Sequence, residues 1–333
     1  MREMMSEQQH DRSAGRPPEG FSVRRPTHTD LPALLALIHA DETWRHGEAS
    51  ETLEQLTARY SVPGLDLAHD TWLAADDCGA IVGESWVWAI DRHVDFWGMV
   101  NIHPRCAGGP LASYLIAVAE ARARELALPP APGRTTDLAF YCATRARELQ
   151  DALAAAGYAL VRHSYRMTID PRARCEAPDW PADIVVRPLD LERDGPAVHA
   201  TLDEAFAEHF RFTPIPYEHW IAELRGNPAF DESLWKVAWD GEQVAGALGA
   251  YDYGTLGEID PLGLRKAWRG RGLAKSLLRS AFADFAALGT EKVCLYVDAG
   301  NATGAVQLYE SLGMCVAEEH GTWLKTLFGV TSE

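Results

Sequence analysis

Cysteine is the first scarcity. Six cysteines (Cys78, Cys106, Cys142, Cys175, Cys294 and Cys315) are spread through 333 residues, with no C-x-x-C pair and no histidine at ligand spacing. That pattern excludes a zinc site or a disulfide framework as default readings, so no metal is expected, and it fits a reducing cytosol. Long apolar runs are missing as well. No stretch approaches the ~20 apolar residues that a bilayer-spanning helix needs, so no membrane partner is expected. Positive charge is also short, with 31 Lys and Arg against 48 Asp and Glu and a net charge of −17. A surface so acidic attracts neither nucleic acid nor anionic lipid. It is compatible with a cationic partner such as an amine. The opening stretch, MREMMSEQQHDRSAGRPPEG, is polar and holds no apolar signal core. Residues 1–20 are therefore expected to be a disordered tail and the protein cytoplasmic.

What remains is ordinary for a chain that buries real cores: 47% of residues are apolar, and the length suits two domains of about 150 residues. The halves follow one plan. FSVRRPTHTDLPALLALI (21–38) and DIVVRPLDLERDGPAVHATL (183–202) each read as a short strand, an Arg-Pro turn with acidic caps, and an amphipathic helix. LQDALAAAGYALVRHSYRMTI (149–169) and VQLYESLGMCVAEEHGTWLKTL (306–327) each read as a helix, a glycine stop at Gly157 or Gly313, and a last strand. Recurrence at half the chain length implies duplication of a whole domain. IDPRARCEAPDWPADI (169–184), rich in proline and charge, reads as the join. The expected organisation is a tail to residue 20, a domain over 21–170, a linker over 171–183 and a second domain over 184–333. Runs of strands followed by alternating helix and strand place both domains in the α/β (α+β) class, with a mixed, mostly antiparallel sheet.

The most informative stretch is AWRGRGLAKSLL (267–278). A strand ends near Leu264, a loop holds Arg269, Gly270, Arg271 and Gly272, and a helix follows with Leu273, Leu277, Leu278, Phe282 and Phe285 as its apolar stripe. The free amides and positive dipole end of such a helix make an anion site. Gly270 and Gly272 let a diphosphate approach the backbone, and Arg269 and Arg271 can add charge-assisted contacts. This loop is neither a Walker loop, which needs G-K-[ST], nor the dinucleotide fingerprint G-x-G-x-x-G.

The stretch Arg269-x-x-Gly272-x-Ala274 matches the [RQ]-x-x-G-x-[GA] signature of the GNAT (Gcn5-related) N-acetyltransferases. GEIDPLGL, CLYVDAGNATGA and AVQLYESLGM also fall at the family's spacing. The second half, over most of 184–333, thus resembles that family, and the chain as a whole resembles its tandem, two-domain members of the mycothiol synthase type. The resemblance implies acetyl-coenzyme A as cosubstrate, with its diphosphate over residues 269–275 (Arg269, Gly270, Arg271, Gly272, Leu273, Ala274 and Lys275). Its pantetheine arm would pair with backbone groups of Leu262, Gly263 and Leu264, where two strands splay, and Asn301 would join the same site.

Acetylation of an amine needs a neutral nucleophile and a proton for the departing thiolate. The resemblance places that acid at Tyr309 and a base at Glu258, with Asp260 on the same strand face as substrate orienter or water relay. Which of the two carboxylates is the base stays open. The helix–loop–helix over 202–224 supplies the expected acceptor wall, with Glu208, His209, Phe212 and Tyr217 as substrate-binding candidates for a cationic, partly apolar amine. Packing against the sheet is the competing reading for each aromatic. Aligned on V-x-I-H-P, the first half has Ala107 for Arg269, Pro110 for Gly272 and Leu153 for Tyr309. A proline removes an amide donor, so the first half reads as a degenerate copy with a structural role. The implied function is N-acetyl transfer to a small-molecule amine. The alternatives are acetylation of a cysteinyl pseudodisaccharide and non-catalytic sensing of acetyl-coenzyme A. Oligomeric state is unreadable.

Overall fold

The computed structural model describes residues 15–47, 49, 51–60, 62, 64–173, 176–300 and 304–329. The first part runs β1 (Phe21–Arg24), α1 (Leu31–His46), α2 (Leu53–Arg59), α3 (Leu67–Asp70), β2 (Thr71–Asp76), β3 (Ile81–Asp91), β4 (Asp95–Ile102), α4 (Leu111–Leu126), β5 (Thr136–Ala143), α5 (Arg147–Ala155) and β6 (Ala159–Ile169). The second runs β7 (Ile184–Pro188), α6 (Leu191–Phe206), α7 (Tyr217–Gly226), β8 (Lys236–Asp240), β9 (Gln243–Asp252), β10 (Leu256–Leu264), α8 (Leu273–Leu288), β11 (Lys292–Asp298), α9 (Ala305–Ser311) and β12 (Cys315–Phe328). Among the described residues no helix is long and apolar enough to cross a membrane.

The chain forms two compact units, but not over the contiguous ranges 21–170 and 184–333. One unit comprises residues 1–163 together with 319–333, and the other comprises 164–318. Main-chain pairing explains the difference. In unit 2, Val293–Asp298 of β11 pair antiparallel with Ile169–Ser164 of β6. In unit 1, Thr136–Ala143 of β5 pair with Phe328–His320 of β12. Each sheet therefore takes its last strand from a segment that the repeat in the sequence assigns to the other half. Between Ile169 and Ile184 no helix or strand forms among the described residues.

Unit 1 runs β1-β2-β3-β4-β5-β12, antiparallel except for the parallel pair β4–β5. Unit 2 repeats the plan in β7-β8-β9-β10-β11-β6, where β10–β11 is the parallel pair. In unit 2 side chains alternate across the sheet, as the pleat demands. Leu248, Ala250, Ile259, Val293, Leu295 and Val297 pack with α8 through Leu273, Leu277, Leu278, Phe282 and Phe285. Val237, Val244 and Ala247 face the other way and pack with Val198 and Leu202 of α6 and Trp220 and Leu224 of α7. Burying each large apolar side chain contributes about 1.5–3 kcal/mol, which makes the sheet a rigid base for the segments at its splayed edge.

Candidate functional site

The cradle begins where β10 ends. After a short turn at Lys266–Trp268, Gly270 and Gly272 take left-handed backbone, with φ of 74° and 81°, and Gly272 caps α8. A Cβ at either glycine would meet open space, so the backbone conformation and not crowding requires glycine there. No side chain caps this helix. The first amide to turn back is that of Ser276, onto the Gly272 carbonyl at 3.1 Å. The amide of Arg269 bonds the Lys266 carbonyl, while those of residues 270–275 have no partner among the described residues. Free amides fanned around a helix start make the anion-binding geometry that the sequence predicts.

A cavity of about 480 Å³ opens beside this loop. It exists because β10 and β11 part company. They pair only over Leu256–Glu258 and Lys292–Cys294, and beyond Ile259 the register of β10 against β9 shifts through Asp260-Pro261. Pro261 has no amide to give a ladder. Ile259, Asp260 and Leu262–Leu264 line one wall and Leu295–Asp298 the other, with Arg269, Gly270 and Gly272–Lys275 at one end. Ala205, Phe206 and His209 come from the end of α6, and Gly304, Ala305, Leu308 and Tyr309 from the start and body of α9.

Several ionisable groups meet there, Tyr309 and Asp260 among them. Tyr309 is buried, and its ring belongs to the α8 core cluster. Burial first, and then the charge of Asp260, push its hydroxyl up to about 12, so it stays protonated at neutral pH. Asp260 is an exposed residue that lines the cavity, and its carboxyl is desolvated by the protein around it. Burial raises its carboxyl to about 6. His209 is held below the usual imidazole range by burial and then by the charge of Arg269. Glu223, on α7, is raised to about 7 by burial and by the charge of Asp260. Tyr251, cross-strand partner of Glu258, is raised well above its ordinary value by burial and by the surrounding acids, Asp260 first among them.

Of the residues singled out in the sequence, Asp260, Leu262, Gly263, Leu264, Arg269, Gly270, Gly272, Leu273, Ala274, Lys275, Tyr309 and His209 come together at this cavity. Others do not line it. Glu258 sits one pleat back, in the last row where β10 and β11 still pair. Arg271 extends to an exposed ion pair with Asp183 (2.6 Å). Glu208 is exposed and pairs with Lys266 (2.7 Å). Tyr217 packs its hydroxyl over Gly195 and its ring near His199 and Trp220. Phe212 lies in the loop after α6. Asn301 lies outside the described residues. Sequence reasoning missed Phe206, Tyr296, Asp298 and Leu308, all wall residues, and the buried acid Glu223. The last left a signal. Glu223 follows the buried Trp220 by three residues and precedes the buried Leu224, so it shares their stripe on α7.

With this geometry established, comparison with known proteins is decisive. The acetyltransferase (GNAT) family profile matches residues 196–314, which span the cradle, the splayed strands and Tyr309. A solved GCN5-related N-acetyltransferase from Sphaerobacter thermophilus superposes with a TM-score of 0.81 at 27% identity, over 95% of this chain and 99% of that one. Residues 196–314 thus match a GNAT domain, and the chain as a whole resembles tandem GNAT proteins. A tandem GNAT protein from the clavulanic acid biosynthesis pathway shares the fold, with a TM-score of 0.70 at 13% identity over 93% and 100% of the two chains. The residues that match the family profile all lie in unit 2. Mycothiol acetyltransferase of Corynebacterium glutamicum is 40% identical over 108 residues, 32% of this chain and 37% of that protein. The matched segment is thus little more than a third of that relative's length.

Proposed function

We propose that the chain transfers an acetyl group from acetyl-coenzyme A to a primary amine of a small molecule, by direct attack in a ternary complex. The observation that carries this reading is the continuity of one site. A fan of free amides at residues 270–275 opens into the same cleft that holds the protonated Tyr309 hydroxyl and the Asp260 carboxyl. The cradle suits a diphosphate, and the parted strands leave main-chain groups of Leu262–Leu264 to pair with an extended arm. The carrier brings an acetyl thioester to the splay. Lys275, whose side chain lines the cavity, adds a cation near the phosphates.

The residues of the chain do the rest. Asp260 holds the incoming ammonium as an ion pair when ionised, above pH about 6. Glu258 takes the amine proton, through Asp260 or a water. Tyr309 donates its proton to the departing sulfur, and burial keeps it protonated until then. His209, held neutral, does not repel a cationic acceptor. A second acceptor reading has its own support. The 40% identity to a mycothiol acetyltransferase favours the amine of a cysteinyl pseudodisaccharide as one candidate. Calorimetry with acetyl-coenzyme A, followed by free-thiol release across an amine panel that includes that compound, tests the reading. Binding with turnover supports it. Binding without turnover on any amine makes the protein a sensor of the thioester.

A further inference from the structure

The arginine that opens the cradle motif is committed to protein carbonyls. Arg269 sends Nε to the carbonyl of Leu264 (3.0 Å) and Nη2 to that of Ala205 (3.1 Å). These acceptors belong to two elements that line the cleft, β10 and α6, which pack closely at Gly263, where a Cβ would lie 3.1 Å from Ala205 and Phe206. Leu264 ends β10, and Ala205 lies in the last turn of α6, the helix that brings Phe206 and His209 to the cavity. That helix ends without a glycine, because Ala207 at its C-cap stays right-handed. Its last carbonyls therefore need outside donors, and a guanidinium there also complements the negative end of the helix. Two neighbours reach the same way. Arg265 pairs with Glu204 and Lys266 with Glu208, each at 2.7 Å. Those pairs are exposed and worth little singly. Arg269 is half-buried, and both its partners line the cavity.

We propose that Arg269 is a positioning residue that ties the carrier loop to the last turn of α6, so that filling the cradle sets the acceptor wall. The wall in question is Phe206 and His209. The inference rests on the functional reading above for the identity of the carrier. The tether itself is a property of the chain. A planar fork bridges two carbonyls from one side chain, which an ammonium on a flexible stem does not reproduce.

The test uses the full chain, wild type against Arg269→Gln and Arg269→Lys, with acetyl-coenzyme A affinity by calorimetry and hydrogen exchange over residues 203–212. In the wild type, saturating acetyl-coenzyme A is expected to slow exchange over 203–212 by about tenfold or more. In both variants, read at saturating acetyl-coenzyme A, that ligand-dependent protection is lost while exchange elsewhere in unit 2 is unchanged. Because Arg269→Lys keeps the charge, it stands in should the glutamine variant fold poorly. Affinity lowered tenfold with protection intact makes Arg269 an ordinary phosphate ligand and overturns the proposal, as does full rescue of protection by lysine. A wild type that does not bind acetyl-coenzyme A defeats the functional reading instead. The exchange of 203–212 in the unliganded variants then decides the tether, and rates equal to wild type overturn it.

Discussion

Units 1 and 2 share a sheet plan and a strand–loop–helix passage, and differ at the wedge between their parallel strands. With Val100 and Ile102 laid on Leu262 and Leu264, Phe96 takes the place of Glu258, Gly98 that of Asp260, and Leu153 that of Tyr309. In unit 2 pairing stops at the Glu258–Cys294 row. In unit 1 the corresponding row is Phe96–Leu138, and pairing continues two rows further, to Gly98–Phe140. There the wedge is filled: a Cβ on Gly98 would lie 2.7 Å from the Phe140 ring. Phe96, Leu138, Phe140 and Leu153 are all buried. The loops differ in the same sense. The turn before the helix is alike in both, the amides of Cys106 and Ala107 bonding the carbonyls of His103 and Pro104 as those of Trp268 and Arg269 bond Arg265 and Lys266. But the stretch of unit 1 that corresponds to 270–275 ties the Gly109 amide to the Cys106 carbonyl and has no amide at Pro110. In unit 2 the amides of 270–275 have no hydrogen-bond partner among the described residues. Unit 1 thus keeps the fold with two fewer free amides at the corresponding helix start and an aromatic ring in its wedge.

Breaking the active half should have the largest effects. Tyr309→Phe removes the proposed proton donor with little change in shape, and kcat should fall by about 10²–10⁴-fold with acetyl-coenzyme A affinity kept. An unchanged kcat would hand the acid role elsewhere. Gly272→Asp puts an anion and a strained left-handed residue into the cradle, and calorimetry should show acetyl-coenzyme A binding weaker by tenfold or more. The two carboxylates should separate by parameter. Glu258→Gln should lower kcat, whereas Asp260→Asn should raise the acceptor KM and abolish a rising limb of kcat/KM near pH 6. The sign follows from the raised pKa: the carboxyl is protonated and unable to pair with an ammonium below about 6, and ionised above it. The same shift means that folding favours the protonated form. Its stabilising effect is full below the unfolded value of 3.8 and lost as pH rises through about 6. Asp260→Asn should therefore melt a few degrees higher than wild type at pH 8, and this gain should vanish at pH 3.5.

The comparison is sharpened from the silent half. Phe140→Ala should cost about 3–5 kcal/mol in urea unfolding of unit 1, yet calorimetry should still count one acetyl-coenzyme A per chain. Two would show that the plug alone held the first cradle shut. The smallest effect belongs to the exposed Lys266–Glu208 pair. Glu208→Ala should change stability by no more than about 1 kcal/mol.

Much of this was readable beforehand, for reasons that particular residues make plain. The strand ending at Leu264, the glycine loop over 269–274 and α8 with its stripe from Leu273 to Phe285 follow from local pattern and spacing, whereas Tyr309 was set beside the site by the family resemblance. The acceptor side was less legible. Glu208 and Tyr217 looked equivalent to His209 in sequence, but one helix turn decides whether a side chain meets Lys266, Gly195 or the cleft. Arg269 was legible as a cation near phosphate, and not as the donor that two distant carbonyls share.

Sequence by itself determined the duplicated domain plan, the left-handed glycines and the acidic charge of the chain, because each can be read along the chain itself. Only tertiary structure decided where the units divide, which carboxylate faces the cavity and why one wedge is open and the other shut. Those outcomes turn on which strand finds which edge and on where pairing stops. Hydrogen bonds between segments more than a hundred residues apart, such as Val293 with Ile169 or His320 with Ala143, leave no local trace in the chain.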